Sequence, residues 1–258
     1  MLDFEATCEQ RGQDSAWEPA EQEILEFPVG LIDLEVGEVV DTFRRIVRPV
    51  LQPQLTAFCS QLTSIQQHQV VGQPTIVEVL GHFQAWSERH GLTPENCCVA
   101  TCGDWDLLQM WPRQVSLAPG LHTPALFRQW INLKLIFKQL TGRKGSGMMG
   151  MLRRAGIRHV GHHHLGIDDV RNLCNLALWM YDQGARYAPT WNLEHRVGHR
   201  RRLAKKRAKV ERACADKRRA LAELPTSVSD EVREQMAARL ARLELELTRM
   251  WAVEAVFS

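Results

Sequence analysis

LDFEATC, residues 2–8, alternates apolar and acidic side chains at the pace of a β-strand. In a strand over Leu2–Ala6 the carboxylates of Asp3 and Glu5 share one face, roughly 7 Å apart along the backbone. Two carboxylates aimed at one spot repel each other unless cations neutralise them. Working outward, EFPVGLIDL (26–34) is a short apolar run, Gly37 and Glu38 mark a turn, and VVDTFRRIV (39–47) alternates as the second arm of a hairpin. Further strands are expected at CCVATC (97–102) and WINL (130–133). Helices are expected over residues 76–86, after Asp104, over 147–155 and over 169–182, the last capped by Gly184. A hairpin followed by interleaved strands and helices defines an α/β fold, a mixed β-sheet flanked by helices.

Beyond Pro189 the strand signals vanish and Ala, Leu, Arg, Lys and Glu dominate. Pro225 divides this tail into two helical segments, with residues 226–229 as the connection. Val232, Met236, Leu240, Leu243, Leu247 and Met250 recur at three- and four-residue steps, as in a helical hairpin or short coiled-coil arm. The chain is thus expected to divide into a catalytic-type domain over 1–188 and a basic helical extension over 189–258.

The net charge of +2 conceals an uneven distribution: residues 1–192 carry −4, residues 193–223 carry +8 and residues 224–258 carry −2. HRRRLAKKRAKVERACADKRR (199–219) holds the basic character. It reads as a phosphate-backbone grip or a nuclear import signal, against a solvated arm whose charges pair with acidic residues on a partner helix. It contains no aromatic residue for base stacking. With no apolar run of about 18 residues and no basic-then-apolar start, membrane insertion and secretion are not expected. An intracellular protein of the cytoplasm or nucleus is. The seven cysteines then read as thiols. Cys97, Cys98 and Cys102 lie on a strand at a spacing that suits no zinc finger or ribbon.

Two further acidic positions stand in distinctive text: Asp106 in TCGDWDL (101–107), where a strand hands over to a helix, and Asp169, preceded by HHHLGIDD (162–169). Ends of regular elements commonly converge at the mouth of an α/β sheet. Four carboxylates gathered there suit hard divalent ions such as Mg²⁺. Two such ions roughly 4 Å apart stabilise the attacking and leaving oxygens of a phosphodiester displacement.

Across residues 1 to about 185 the text, with LDFEATC, EFPVGLIDL, DTFRRIVRP, GDWDL, WINLK and HLGIDDVRNL in order, resembles the DEDDh 3′-to-5′ exonucleases of the Eri/histone-mRNA group. The resemblance implies a ribonuclease H-like fold, two Mg²⁺ (or Mn²⁺) ions and removal of nucleotides from RNA 3′ ends. By position it makes Asp3, Glu5, Asp106 and Asp169 the metal ligands, with Glu5 also catalytic. It selects His164, five residues before the last Asp, as the base that deprotonates the attacking water and touches substrate. It also implies that the backbone at Ala6 and the ring of Trp105 hold the terminal nucleotide, though Trp105 also suits a plain core position. Asp104 and Asp168 are left as helix-start residues. Two departures are visible: only Met1 and Leu2 precede Asp3, which leaves the first strand a stub, and Leu62-Thr63-Ser64-Ile65 stands where the family usually has LTGI. The alternatives are a catalytically weakened RNA-binding or assembly protein on the same fold, and a 3′-to-5′ deoxyribonuclease.

Overall fold

Strands β2 (Ile24–Asp33) and β3 (Glu38–Ile46) run antiparallel from Glu26 opposite Ile46 to Asp33 opposite Glu38. The turn between them closes through Gly37 N–H to the Asp33 carbonyl at 2.9 Å, with Gly37 at φ +77°. The first seven residues of β2 are buried, whereas most of β3 is exposed and carries charged side chains, as an edge strand does. These coordinates are a computed structural model that describes residues 1–10, 21–191, 193–225 and 228–256.

On the other edge of β2 lies β1, which spans only Glu5–Ala6 and not the expected Leu2–Ala6. The reason lies in a contact distant in sequence. The Phe4 N–H leaves the ladder to bond Asp106 Oδ1 at 2.9 Å, and the Phe4 ring enters an aromatic cluster with Phe27, Trp111 and Phe127. Leu2 then rejoins the sheet opposite Val29, and Met1 exchanges two hydrogen bonds with Gly30. Leu2 N–H also reaches the Ala100 carbonyl at 2.9 Å. That bond joins the β3–β2–β1 part to a parallel pair, β4 (Val99–Thr101) and β5 (Trp130–Asn132). The short N-terminal segment is therefore the seam of a mixed sheet.

Helices α1 (Ala57–Thr63), α2 (Gln67–Val70) and α3 (Ile76–Arg89) follow the hairpin. A π-turn over Asp106–Met110 leads into α4 (Trp111–Leu117). Helices α5 (Leu133–Thr141), α6 (Met148–Ala155) and α7 (Gly166–Asp182) complete this part. They bury Leu133, Ile136, Phe137, Met151, Leu173, Leu176 and Met180 in one cluster, each worth about 1.5–3 kcal/mol of transfer free energy. Helix α7 can approach β2 closely because residue 30 is glycine: a Cβ there would fall 2.6 Å from Cys174 Sγ. The helix begins three residues before the expected Asp169, and Gly184 follows it at φ +89°.

By its internal contacts the chain falls into two units, Met1–Asn192 and Leu193–Ser258. The second consists of α8 (Leu193–Ala222) and α9 (Asp230–Val256), packed on each other. Leu240, Leu243, Leu247 and Met250 of α9 meet Val210 and Cys214 of α8. Val232, first in the expected stripe, is exposed. Lys206 pairs with Glu246 at 3.1 Å and Arg218 with Glu244 at 2.6 Å, so part of the basic charge is answered within the tail. Of the expected connection, residues 226 and 227 lie outside the described residues. Among the described residues no helix is long and apolar enough to cross a membrane.

Candidate active site

Four carboxylates come together at the end of the sheet. Glu5 stands on β1, Asp3 in the irregular segment beside it, Asp106 in the turn after β4, and Asp169 in the first turn of α7. Glu5, Asp106 and Asp169 are buried, while Asp3 at the mouth keeps some exposure. Two backbone bonds fix the set: Phe4 N–H to Asp106 Oδ1, and His164 N–H to Asp169 Oδ2 at 3.0 Å.

Electrostatics shows how closely the charges face one another. Desolvation raises Asp3 well above the usual carboxylate range, and Asp106, Asp169 and Glu26 add to it, against the opposing Lys134. Burial raises Glu5 well above its ordinary value, helped by Asp3 and Asp169. Asp106 is pushed up to about 6, chiefly by burial. Like charges so placed ionise together only when a cation shares their space, and an all-oxygen set of this kind suits a hard divalent ion. The chain's own residues thus fit the divalent-metal centre that the resemblance implies.

The three consecutive histidines face three ways. His162 turns outward, with Nδ1 3.2 Å from Ser64 Oγ. His163 bonds Asp169 through Nδ1 at 3.0 and 3.1 Å and stacks on His164 with centroids 3.9 Å apart. His164 joins Glu5 and Asp169, each offering a ligand atom within 4.8 Å of the others. His164 adopts φ +71°, a left-handed conformation that costs a non-glycine residue about 1–2 kcal/mol; its N–H bond to Asp169 helps hold it. Burial lowers its pKa, as does His163, while Asp169 opposes the shift. A neutral imidazole beside the carboxylates is able to accept a proton.

Trp105 is 36% exposed beside Asp106, which removes the plain-core reading of this ring. Ala6 is buried on β1, paired with Ile24. Asp104 does more than open a helix: its carboxylate accepts from Trp130 Nε1 and Asn132 Nδ2, both at 2.9 Å, tying the turn to β5. Asp168 also binds away from the helix start, accepting from His162 N–H at 2.9 Å and pairing with Arg171. Ser64, in place of the family's glycine, is left-handed at φ +62° after α1. Cys97, Cys98 and Cys102 are free and form no metal-type group among the described residues.

Two residues escaped the sequence reading. Glu26, with no exposed surface, accepts from Gly166 N–H at 2.9 Å, Ile167 N–H at 3.1 Å and Arg44 Nε at 2.7 Å. It caps α7 and so sets where Asp169 stands; this is why the helix starts at Gly166. A Cβ on Gly166 would crowd Pro28, the Asp3 carbonyl and Glu26. The available signal was an acidic residue inside the apolar run of β2. Lys134, the second, is the cation nearest to balancing Asp3 and Asp106, and its Nζ occupies the space beside Gly103, where an added Cβ would lie 3.2 Å away.

Residues 1–177 match the exonuclease family, RNase_T, and the chain belongs to that family. Its relatives include the human and mouse proteins named ERI1 exoribonuclease 3, each 39% identical over 179 residues, covering 68% of this chain and 51% of the relative. The mouse 3′-5′ exoribonuclease 1 is 34% identical over 189 residues, covering 71% and 53%. The chain therefore spans about half the length of the curated relatives it matches. Among solved structures, the nuclease domain of 3′hExo, a DEDDh family member bound to rAMP, superposes with a TM-score of 0.69 at 31% identity. That match covers 74% of this chain and 94% of the other. A second structure, of a 3′-exonuclease recognising the histone mRNA stem-loop, gives 0.65 at 31% identity, covering 71% and 81%. The fold is thus the ribonuclease H-like one of these exonucleases.

Proposed function

We propose that the chain is a metal-dependent 3′-to-5′ exoribonuclease that releases nucleoside monophosphates from RNA 3′ ends. Residues 1–188 form its DEDDh exonuclease domain and residues 189–258 a basic helical extension. The observation that carries this reading is the convergence of Asp3, Glu5, Asp106 and Asp169 around one space, with His164 beside it. These carboxylates would hold two Mg²⁺ ions, with Mn²⁺ an alternative. When bound, such ions offset the buried negative charge and stabilise the charge that develops on the attacking and leaving oxygens.

The chain's residues supply the rest. His164, kept neutral by its surroundings, accepts a proton from the attacking water as the new P–O bond forms. The bond to the departing 3′ oxygen breaks, and the terminal nucleotide leaves with a 5′-phosphate. Trp105, exposed beside Asp106, stacks on the terminal base, and the backbone at Ala6 lines its sugar. Lys134 adds positive charge on the phosphate side. The basic helix α8 grips the phosphate backbone of RNA or of other nucleic acid, a contact that weakens as salt is raised. Partners that bind through the tail helices belong to the same reading.

The test is a time course with 3′-extended RNA in Mg²⁺, its products separated by mass spectrometry. Mononucleotides appearing from the first turnover support the proposal, whereas oligonucleotide products or no products under matched RNA binding oppose it. A parallel deoxyribo-oligomer distinguishes the RNA enzyme from a deoxyribonuclease, since the 2′-hydroxyl is what separates the two substrates.

A further inference from the structure

Beside the carboxylate nest, two histidines of the loop before α7 that the exonuclease chemistry leaves unused form a second set of metal-type donors with Asp169. His159, His163 and Asp169 each place one ligand atom within 4.8 Å of the others. Asp169 Oδ1 lies 3.1 Å from His163 Nδ1 and 3.8 Å from His159 Nε2. The two imidazole rings stand at 71° with centroids 6.1 Å apart. His159 Nε2 is buried and has no hydrogen-bond partner. Leaving such a nitrogen unsatisfied is unfavourable, yet it faces a carboxylate oxygen too distant for a hydrogen bond.

The spacing fits a tetrahedral ion. Ligands at about 2.0–2.1 Å from zinc sit roughly 3.3 Å from one another, and the two separations above bracket that value. We propose that His159, His163 and Asp169 form a second cation site, which takes a borderline transition ion of the Zn²⁺ class with water completing its shell. Two imidazoles and one carboxylate are a donor set that zinc accepts and that Mg²⁺, bound through oxygen, does not favour. Binding replaces the hydrogen bond between His163 Nδ1 and Asp169. The neighbouring histidines take no part, since His162 faces Ser64 and His164 groups with Glu5.

Asp169 belongs to both sets. An ion held by His159 and His163 draws this carboxylate away from the nest, so zinc occupancy antagonises Mg²⁺-supported cleavage. That consequence rests on the exonuclease reading; the binding itself does not.

Calorimetric titration of the full chain with Zn²⁺ in excess Mg²⁺ tests the site, with Co²⁺ as a spectroscopic substitute. One Zn²⁺ bound per chain and tetrahedral-type Co²⁺ absorption are expected. His159→Phe keeps the ring volume and removes the ligand, and should weaken Zn²⁺ by more than about 100-fold, beyond the loss typical of outer-shell partners. Mg²⁺-supported cleavage should persist in that variant and lose its zinc sensitivity, and His162→Ala should behave as the parent chain. Absence of Zn²⁺ binding, undiminished binding in His159→Phe, or a loss that follows His162 instead overturns the proposal, the last result marking a solvated histidine run. If circular dichroism shows that His159→Phe does not fold, His159→Gln is judged by the same criteria. Zinc bound with this dependence by a chain that cleaves no RNA sinks the exonuclease reading and leaves the site standing.

Discussion

In the N-terminal unit Glu5, Asp106 and Asp169 are buried beside one another, and Lys134 offsets only part of the negative charge. In the C-terminal hairpin Arg218 and Glu244 meet at 2.6 Å with side chains 61% and 40% exposed. Both regions are rich in charge, and the sequence marks both. Water makes the difference. The tail's ion pairs are screened and worth little, whereas the nest stores repulsion that a bound cation relieves beyond what Lys134 offsets. A charge run in a sequence therefore says little about chemistry until its burial is known.

The harshest way to break this contrast is to remove one charge from each region. Asp169→Asn should lower turnover about 10³-fold or more, while Arg218→Ala should leave turnover unchanged and cost less than about 1 kcal/mol in chemical denaturation. Equal effects in the two variants would end the distinction. Next in size, His164→Asn should reduce turnover about 10²- to 10⁴-fold with RNA affinity retained in a filter-binding assay. In the parent chain the acid limb of the rate profile should lie below the ordinary imidazole value near 6.5, because burial lowers the His164 pKa.

Glu26 sharpens the comparison from the structural side. Replacing it with Gln removes the charge that caps α7 and pairs Arg44. A loss of about 1.5–3 kcal/mol per charged hydrogen-bonding group is expected, together with weaker Mg²⁺ binding as Asp169 loses its placement. Urea unfolding and Mg²⁺ calorimetry on one preparation read both effects.

The nest also makes stability depend on pH and on metal together. Asp106 holds its proton more tightly folded, with a pKa near 6, than at its ordinary value of 3.8. Its contribution is therefore fully present below about pH 4 and is lost as pH rises through about 6, a fall on the order of 3 kcal/mol in the absence of cation. Thermal melts in EDTA should decline across that window, and excess Mg²⁺ should restore the upper part. Melts insensitive to Mg²⁺ above pH 6 would count against a shared cation. The smallest effect belongs to Ser64, whose left-handed backbone at φ +62° suits glycine. Ser64→Gly should stabilise the chain by up to about 1 kcal/mol, less whatever the exposed contact with His162 contributes.

Much of the fold was legible because its signals are local. The hairpin of β2 and β3 and the apolar period of α7 appear in the text within a few residues of where they stand. Two boundaries moved for reasons that lie far away in the chain: Asp106 takes the Phe4 N–H and shortens β1, and Glu26 captures the Gly166 N–H and lengthens α7. Each partner lies 100 residues or more from the element it alters.

The choice among histidines shows the same division. Residue order alone placed four acids and a histidine run at the ends of regular elements, and the family's spacing narrowed the run to His164. Which ring faces Ser64, which bonds Asp169 and which joins Glu5 was decided by packing, through the turn at Gly161 and the left-handed backbone at His164. So was the pairing of His159 with His163. Side-chain type and period are written along the chain, but direction and burial arise only when distant segments exclude water from one another.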